Sequence, residues 1–381
     1  MDEYLRRAAR LWPEATALVD AATDRSLSYE ELDAWTGRIA AGLERRGLET
    51  GAPIGVITAR RPETIAAIWG TLRAGGVVVP LAPDGTKSER QTKCDLAGVD
   101  RCLVGQEFGS AVPETVEAWD IEAVATAQTR PESERRTRSR GVDRTRLVLF
   151  TSGTTGTPTG VRLTGRNLGA SAASTVERLG VRSSDQWLLD LPIHHAGGLS
   201  IPIRTTMLGA TTVLSRSFDA QGSAETMDEY DVTGVSLVPT MLDRLLDGPG
   251  FPETLRFALV GGAATPPALV NRALAADVPI DASYGMTETA SGIATATPAD
   301  LAADPETVGR PVRAAHVTIE DADGRVLEPG AVGEITVRGP IVSPGSVGGD
   351  SREPGAPFRT GDRGYLTAAG RLVVTGRIDD L

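Results

Sequence analysis

The amino-acid sequence predicts an α/β fold made of two doubly wound α/β subdomains and a small antiparallel β unit. Two β-rich runs, 52–58 and 77–83, lie on either side of a helix-like segment, which is the spacing of a βαβ unit with a parallel sheet. A second series of alternating strands and helices extends over 147–285. After about residue 308, apolar and polar residues alternate with period two, which is typical of antiparallel strands.

The first α/β subdomain is assigned to residues 1–180. It contains a predicted helix over 28–48, where Ser28 followed by Glu31 has the pattern of a capping box. The segment 128–146 is polar, mixes both signs of charge and has no aromatic residue. We therefore predict a solvated linker there, not a nucleic-acid-binding arm.

The second α/β subdomain is assigned to 181–307, the small β subdomain to 308–375 and the start of a hinge to 376–381. Five strands with helices between them are predicted in the second subdomain: 185–193, 209–215, 232–239, 255–262 and 279–285. In the β subdomain, the run 364–377 predicts a hairpin with a glycine turn.

Composition limits the classes of function. The chain of 381 residues has a formal net charge of −11, which disfavours a general nucleic-acid-binding protein because such proteins present a basic face. No run of about 18 apolar residues occurs, and the first residues lack the apolar core of a signal peptide, so the expected location is cytoplasmic. Cys94 and Cys102 have no histidine nearby and indicate neither a disulfide framework nor a zinc site.

A strand at 147–150 leads into a loop of glycine, serine and threonine, 151–160, and a helix follows. Backbone N–H groups and hydroxyls in such a loop, close to a helix N-terminus, suit the oxygens of a phosphate. It is not a Walker A loop, because the lysine of that motif is absent. On composition alone, a flexible threonine-rich surface loop is the alternative.

The loop sequence TSGTTGTPTGV resembles the phosphate loop of the acyl-adenylate-forming superfamily, which includes acyl- and aryl-CoA synthetases, luciferases and adenylation domains. Thr159 stands where that superfamily has a lysine. Further stretches resemble its other motifs in the same order: VGGAATPP at 260–267, SYGMTETAS at 283–291, FRTGDRG at 358–364 and GRIDDL at 376–381. The resemblance covers the whole chain and implies the superfamily's large N-terminal domain, with the small C-terminal domain absent and turnover impaired.

The resemblance implies a reaction in which a carboxylate attacks ATP while preorganised donors and Mg²⁺ stabilise the phosphate oxygens. Thr287 and Glu288 are the implied catalytic residues, and Glu288 is also the implied metal ligand. The implied phosphate loop comprises Thr151, Ser152, Gly153, Thr154, Thr155 and Gly156. The implied nucleotide-binding residues are Gly262, Ala263, Ala264, Tyr284, Gly285, Met286, Asp362 and Arg377, and the implied hinge is Asp379.

Two of these residues carry specific expectations. Tyr284 is expected to stack on adenine, and Asp362 to accept both ribose hydroxyls, as a carboxylate does in other nucleotide-binding folds. Taken outside its motif, Asp362 or Glu288 is more typical of a solvated surface acid.

The stretch 191–210, LPIHHAGGLSIPIRTTMLGA, is similar to that of the o-succinylbenzoate–CoA ligase family within the superfamily. The similarity implies that His195, also a catalytic residue, lies at the acyl and thioester tunnel, and that Gly198, Ser200 and Arg204 contact the acyl substrate. A buried Arg204 could pair bidentately with the aromatic carboxylate of o-succinylbenzoate. The alternative is a surface arginine with an acid nearby.

The implied function is ATP-dependent activation of o-succinylbenzoate to an acyl-AMP and then to its coenzyme A thioester, in menaquinone biosynthesis. ATP and Mg²⁺ are expected as cofactors, and coenzyme A as co-substrate. The expected partners are small molecules and a second copy of the chain in a homodimer; neither a nucleic acid nor a membrane is expected.

Two alternatives stay open. One is another acyl- or aryl-CoA synthetase or adenylation domain; the other is a nucleotide-binding protein with little catalysis, which the absent lysine favours. Arg162, close to the loop, is the hypothesis for a replacement cation.

Overall fold

The computed structural model describes residues 2–57, 60–126, 141–151, 158–349 and 351–379. Its strands, in chain order, are β1 (Thr16–Asp20), β2 (Arg25–Ser28), β3 (Pro53–Ile57), β4 (Val77–Leu81), β5 (Arg101–Val104), β6 (Glu117–Asp120), β7 (Thr145–Thr151), β8 (Thr159–Thr164), β9 (Gln186–Leu189), β10 (Thr211–Leu214), β11 (Gly234–Leu237), β12 (Phe257–Val260), β13 (Ile280–Tyr284), β14 (Ala294–Ala296), β15 (Arg310–Pro311), β16 (His316–Glu320), β17 (Gly333–Arg338), β18 (Phe358–Leu366) and β19 (Leu372–Arg377). Its helices are α1 (Asp2–Leu11), α2 (Tyr29–Arg45), α3 (Pro62–Ala74), α4 (Lys87–Ala97), α5 (Ile121–Ala125), α6 (Gly165–Leu179), α7 (Ala196–Leu208), α8 (Ala220–Glu229), α9 (Pro239–Asp247), α10 (Pro267–Ala275) and α11 (Pro298–Ala303). Short 3₁₀ turns lie at Gln106–Ala111 and Thr287–Thr289.

The strands form three sheets, which confirms the predicted fold class. A six-stranded sheet has the order β6-β5-β3-β4-β7-β8, and a nine-stranded sheet has the order β15-β14-β13-β12-β11-β9-β10-β1-β2. The central strands of both are parallel, whereas β8, β2, β14 and β15 pair antiparallel at the edges. The third sheet, β16-β17-β18-β19, is wholly antiparallel.

The N-terminal strands do not stay within the region assigned to the first subdomain. β1 pairs in parallel with β10, where Leu18 lies opposite Thr212, and β2 forms the edge next to β1. Residues 16–28 therefore extend the sheet that otherwise belongs to 181–307. The partner of a strand is a non-local choice, so local sequence patterns contain no signal for this placement.

Several local predictions are confirmed. Ser28 caps α2 by the predicted capping box, in which its side chain accepts from the backbone of Glu31 while the Glu31 side chain accepts from the backbone of Ser28. The five strands expected between 185 and 285 are all present as β9–β13, each shorter than the apolar run that predicted it. Of the segment 128–146, residues 128–140 lie outside the described residues, and β7 already begins at Thr145.

Packing positions the small sheet against the larger one. Ile293 and Ala294, next to β13, share a buried apolar cluster with Val317, Ile335 and Leu372 of the four-stranded sheet. Because this cluster is buried, it fixes the carboxyl end of β13 beside β18 and β19, where the functional motifs converge. Within the described ranges, no helix has both the length and the apolar character to cross a membrane.

Candidate active site

The nucleotide motifs of two different sheets meet at one carboxylate. Tyr284 is the last residue of β13, and its hydroxyl donates to Asp362 Oδ2 at 2.6 Å. Arg377 lies directly opposite Asp362 in the β18–β19 pairing, and its Nη1 donates to Asp362 Oδ1 at 3.0 Å. Burial, together with the hydrogen bond to Asp362, raises the pKa of Tyr284 well above its usual value, so the phenol stays a donor.

The turn after β13 combines a close backbone approach with positive φ angles. A Cβ on Gly285 would lie 2.2 Å from the carbonyl oxygen of Ser291, so glycine is required there. The 3₁₀ turn Thr287–Thr289 follows, and Ala290 and Ser291 both have positive φ, 51° and 93°. Such values are costly for residues other than glycine and persist where the surroundings impose them, which is common at functional sites.

This turn presents the implied catalytic residues. Thr287 and Glu288 are both half-buried, as is Met286. The backbone carbonyl of Glu288 accepts from the N–H of Ser343 at 2.8 Å, which leaves its carboxylate unconstrained by that bond. No group of three or more His, Cys, Asp or Glu side chains suited to a metal occurs among the described residues. A magnesium ion held by Glu288 would therefore take its other ligands from phosphate oxygens and water, as this ion commonly does.

The small-residue turn after β12 lies beside Tyr284, because β12 and β13 are parallel neighbours. Gly262, Ala263 and Ala264 are exposed, and Gly262 has a φ of 79°. These residues form an exposed edge of small side chains after the strand next to β13.

The phosphate loop is only partly within the described residues. Thr151 ends β7 and pairs with Thr159, the first residue of β8. The predicted loop residues Ser152, Gly153, Thr154, Thr155 and Gly156 lie outside the described part of the chain. Their assignment stays a prediction.

Arg204 is buried in the second α/β layer. It lies on α7, is 3% exposed, and its Nη2 donates to Ser291 Oγ at 2.8 Å and to Thr175 Oγ1 at 3.3 Å. Its guanidinium carbon lies 5.5 Å from the ring centroid of Trp187, and its Nε is buried without an acceptor. None of the ion pairs found in the described ranges includes Arg204. Burial lowers the pKa of Arg204 to about 9. The prediction of a buried arginine is confirmed, and the surface alternative is wrong.

The other acyl-site candidates begin the same helix. His195 is the N-cap of α7, and a Cβ on Gly198 would lie 2.3 Å from the carbonyl oxygen of Pro192. Ser200 is buried and donates to the carbonyl of Gly197 at 2.8 Å. Gly198 therefore serves close backbone packing, and Ser200 has its hydroxyl proton committed to its own helix.

The two adjacent histidines are held neutral. The ring centroids of His194 and His195 are 4.4 Å apart. Desolvation by the surrounding protein, with a contribution from His195, lowers the pKa of His194 to about 4. Desolvation and then Lys93 lower the pKa of His195, although that residue is exposed. A neutral imidazole is able to accept a proton at neutral pH.

A cavity of about 270 Å³ opens beside His194, where the carboxyl ends of β3 and β4 face those of β9 and β10. Arg60, Asp84 and Arg216 provide its charged lining. Arg60 Nε donates to the carbonyl of Ser215 at 2.8 Å, which holds this guanidinium at the wall. Because Asp84 is acidic and Arg216 is paired with Asp20, Arg60 is the lining cation whose charge is least compensated in this otherwise apolar cavity.

The sequence did not predict the side chains that contact Arg204 or lie near Glu288. Ser291 was inside a recognised motif without a role, and Thr175 and Trp187 lie far from Arg204 in sequence. Arg352 lies close enough to Glu288 for the carboxylate to influence its pKa. Ser291 could have been flagged from its motif; the others had no signal in the sequence.

Comparison with known proteins identifies the family of the chain. The family model described as AMP-binding enzyme matches residues 5–347. The 2-succinylbenzoate–CoA ligase of Bacillus licheniformis is 33% identical over an alignment of 386 positions, which covers 99% of this chain and 80% of that protein. The enzyme of the same name from Bacillus subtilis strain 168 is 31% identical over an alignment of 388 positions, which covers 99% of this chain and 78% of that protein.

Solved structures show the same similarity in three dimensions. The o-succinylbenzoate coenzyme A synthetase of Bacillus subtilis in complex with AMP matches with a TM-score of 0.91 and 31% identity, covering 99% of both chains. The same enzyme with the acyl-adenylate intermediate matches equally well, over 99% of this chain and 78% of that one. The N-terminal domain of FACL13 from Mycobacterium tuberculosis matches with a TM-score of 0.90 at 25% identity, over 99% of both chains.

Proposed function

Since the chain belongs to the AMP-binding enzyme family, and within it to the family of the 2-succinylbenzoate–CoA ligases, we propose that it converts 2-succinylbenzoate, ATP and coenzyme A into the acyl-CoA, AMP and pyrophosphate. The observation that supports this substrate is Arg204, a buried guanidinium without an acid partner among the described residues. A buried charge is costly unless an opposite charge joins it, and a substrate carboxylate supplies one.

The first half-reaction is adenylation. A carboxylate oxygen of the substrate bonds to the α-phosphorus of ATP, and the bond from that phosphorus to pyrophosphate breaks with its electron pair. Asp362 is the proposed acceptor of the ribose hydroxyls, with Tyr284 and Arg377 holding its two oxygens in place. Tyr284 and the exposed turn at Gly262 border the proposed adenine site.

Mg²⁺ fits this site through Glu288, whose hard carboxylate oxygen is the ligand type that the ion prefers. When bound, the ion neutralises charge on the phosphate oxygens. The chain's own part is to fix the backbone of the turn that bears Glu288, through the bond from the N–H of Ser343 to the Glu288 carbonyl.

The acyl group is proposed to lie between the nucleotide site and α7. Arg204 donates to Ser291, which belongs to the same turn as Glu288. The ring carboxylate would pair with Arg204 while the other carboxylate points to the α-phosphate. A charge-assisted pair of this kind gives both affinity and orientation.

The second half-reaction forms the thioester. The sulfur of coenzyme A bonds to the acyl carbon, the bond from that carbon to AMP breaks, and the thiol proton leaves. Neutral His195 is the proposed acceptor of that proton, because the similarity to the ligase family puts it at the acyl and thioester tunnel and its lowered pKa leaves the ring unprotonated. The cavity at His194, with Arg60 on its wall, is the proposed approach for the anionic co-substrate.

The proposed setting is menaquinone biosynthesis in the cytoplasm, where ATP and coenzyme A are both supplied. A nucleotide-binding protein with little catalysis is the second candidate, because Thr159 replaces the expected loop lysine.

The experiment is pyrophosphate release from ATP and Mg²⁺ with matched acids. We expect release with 2-succinylbenzoate and at least tenfold less, at equal concentration, with 4-oxo-4-phenylbutanoate, which lacks only the ring carboxylate. Equal release with both acids would contradict the substrate assignment. Nucleotide binding without release by any acid would favour the second candidate.

A further inference from the structure

A segment after β17 crosses the edge strand next to the phosphate loop. We call residues 340–352, described except for 350, the strap. The N–H of Val347 donates to the carbonyl of Gly160 at 2.7 Å, and the N–H of Arg162 donates to the carbonyl of Gly345 at 3.0 Å. The strap therefore pairs with the edge strand β8 through one short antiparallel bridge, in which Ser346 lies opposite Val161.

Arg162 is engaged in holding this strap. Its Nη2 donates to the carbonyl of Pro344 at 3.2 Å and to Ser351 Oγ at 3.0 Å. Thr159 and Arg162 are three residues apart on β8, so their side chains point to opposite faces of the strand. Arg162 is thus poorly placed to replace a lysine at 159.

Arg352, at the end of the strap, is placed differently. Its Nη1 donates to the carbonyl of Ser343 at 2.8 Å, and its guanidinium carbon lies 4.8 Å from the ring centroid of Phe358. The N–H of Ser343 in turn donates to the carbonyl of Glu288 at 2.8 Å. One residue therefore connects the arginine to the turn that bears the proposed metal ligand.

The guanidinium of Arg352 has donors to spare. Within the described ranges, its Nε and Nη2 have no acceptor, and no ion pair joins it to Glu288. Burial lowers the pKa of Arg352, while the charge of Glu288 acts in the opposite direction. The stack on Phe358 and the bond to Ser343 hold a half-buried cation in a set orientation with free N–H groups.

We propose that Arg352 binds the pyrophosphate portion of ATP beside Glu288, so that the strap supplies the positive charge absent at Thr159. This rests on the function proposed above and adds one residue to it. As the bond between the α-phosphorus and pyrophosphate breaks, negative charge grows on the leaving pyrophosphate. Arg352 stabilises that charge by hydrogen bonds and takes up no proton. The residue acts on the leaving group and makes no contact with the AMP portion.

The test is calorimetric binding of pyrophosphate, ATP and AMP, each with Mg²⁺, to the wild type and to Arg352→Gln. Glutamine keeps a planar group to stack on Phe358 but has no charge. We expect about 10–100-fold weaker binding of pyrophosphate and ATP, with AMP affinity within about twofold, since one charge-assisted contact is lost. Arg325→Ala is the control, because Arg325 is 80% exposed on a distant turn.

Thr159→Lys provides an independent measurement. In the Arg352→Gln background it is expected to restore most of the pyrophosphate affinity. In the wild type, Thr159→Lys is expected to raise the affinity for pyrophosphate by less than about threefold, because Arg352 already supplies the positive charge. This comparison does not depend on whether the glutamine variant folds. A tenfold gain in the wild type, unchanged pyrophosphate binding by Arg352→Gln, or an equal loss of AMP binding would each overturn the proposal. A wild type that binds no ATP would instead overturn the proposed function.

Discussion

Replacing Arg204 with methionine is expected to increase the free energy of unfolding and to weaken the binding of 2-succinylbenzoate. Burial lowers the pKa of this arginine from 12.5 to about 9. At 1.36 kcal/mol per pKa unit, holding the charge in the folded protein costs on the order of 5 kcal/mol. The cost is fully present below pH 9 and is relieved as the pH rises towards 12.5, so it acts in full at pH 7.5.

Part of that gain is offset by lost contacts. The variant gives up the hydrogen bonds to Ser291 and Thr175, at about 1–1.5 kcal/mol each. The contact of the guanidinium with the Trp187 ring is also lost, but a methionine sulfur beside the ring is expected to replace it with a contact of similar magnitude. The expected net change in the free energy of unfolding is therefore an increase of about 2 kcal/mol, consistent with buried ion groups replaced by apolar ones.

The assay combines urea unfolding at pH 7.5 with binding of two acids. Arg204→Met is expected to bind 2-succinylbenzoate about 10–150-fold more weakly, since a charged hydrogen-bonding partner is lost. Its affinity for 4-oxo-4-phenylbutanoate, which has no ring carboxylate, is expected to change by less than about threefold. The reasoning would be refuted by a variant that is less stable than the wild type and keeps the wild-type preference for 2-succinylbenzoate over 4-oxo-4-phenylbutanoate. Arg204 would then have a structural role only.

Three further predictions concern Asp362, Gly285 and Asp281. Asp362→Asn is expected to weaken AMP binding about tenfold or more, because the ribose acceptor loses its charge; calorimetry showing a change below twofold would contradict the role. Gly285→Ala is expected to lower the free energy of unfolding by about 1–3 kcal/mol, because the added Cβ meets the Ser291 carbonyl at 2.2 Å; unchanged urea unfolding would contradict it. Burial raises the pKa of Asp281 to about 7, with Asp300 adding to the rise and Arg178 opposing it. The Asp281 carboxyl therefore ionises at a lower pH in the unfolded chain, and the free energy of unfolding of the wild type is expected to fall as the pH rises from about 4 to about 7. Asp281→Asn is expected to remove up to about 4 kcal/mol of that fall. Parallel profiles of unfolding free energy against pH for the two proteins would exclude the effect.

Local structure could be predicted from the sequence where interactions between neighbouring residues determine it. The capping box of Ser28 and the strands β9–β13 follow from patterns of a few residues; all are present, although the strands are shorter than predicted. Of the two alternatives for Arg204, a buried or a surface arginine, the buried one is observed. In contrast, the pairing of β1 with β10 joins residues almost two hundred positions apart, and no local pattern indicates it.

The nucleotide site shows the same division at the scale of single residues. Asp362 and Tyr284 were named from separate motifs, but their hydrogen bond depends on how the four-stranded sheet packs against β13. Arg162 was chosen as a replacement cation because it is close in sequence to Thr159. The structure instead engages it with the strap and brings Arg352 near Glu288.

The sequence by itself determined the α/β fold class, the order of the motifs and the types of side chain available for binding ATP and a carboxylate. The fold class follows from hydrophobic periodicity and turn residues, which act over short distances, whereas the binding roles of the motifs follow from the resemblance to the acyl-adenylate-forming superfamily. Only the tertiary structure decided which of those side chains meet: Asp362 between Tyr284 and Arg377, Arg204 against Ser291, and Arg352 beside the turn of Glu288. Such contacts arise from the burial of apolar faces between distant segments, which sets where the polar groups at the strand ends come to lie.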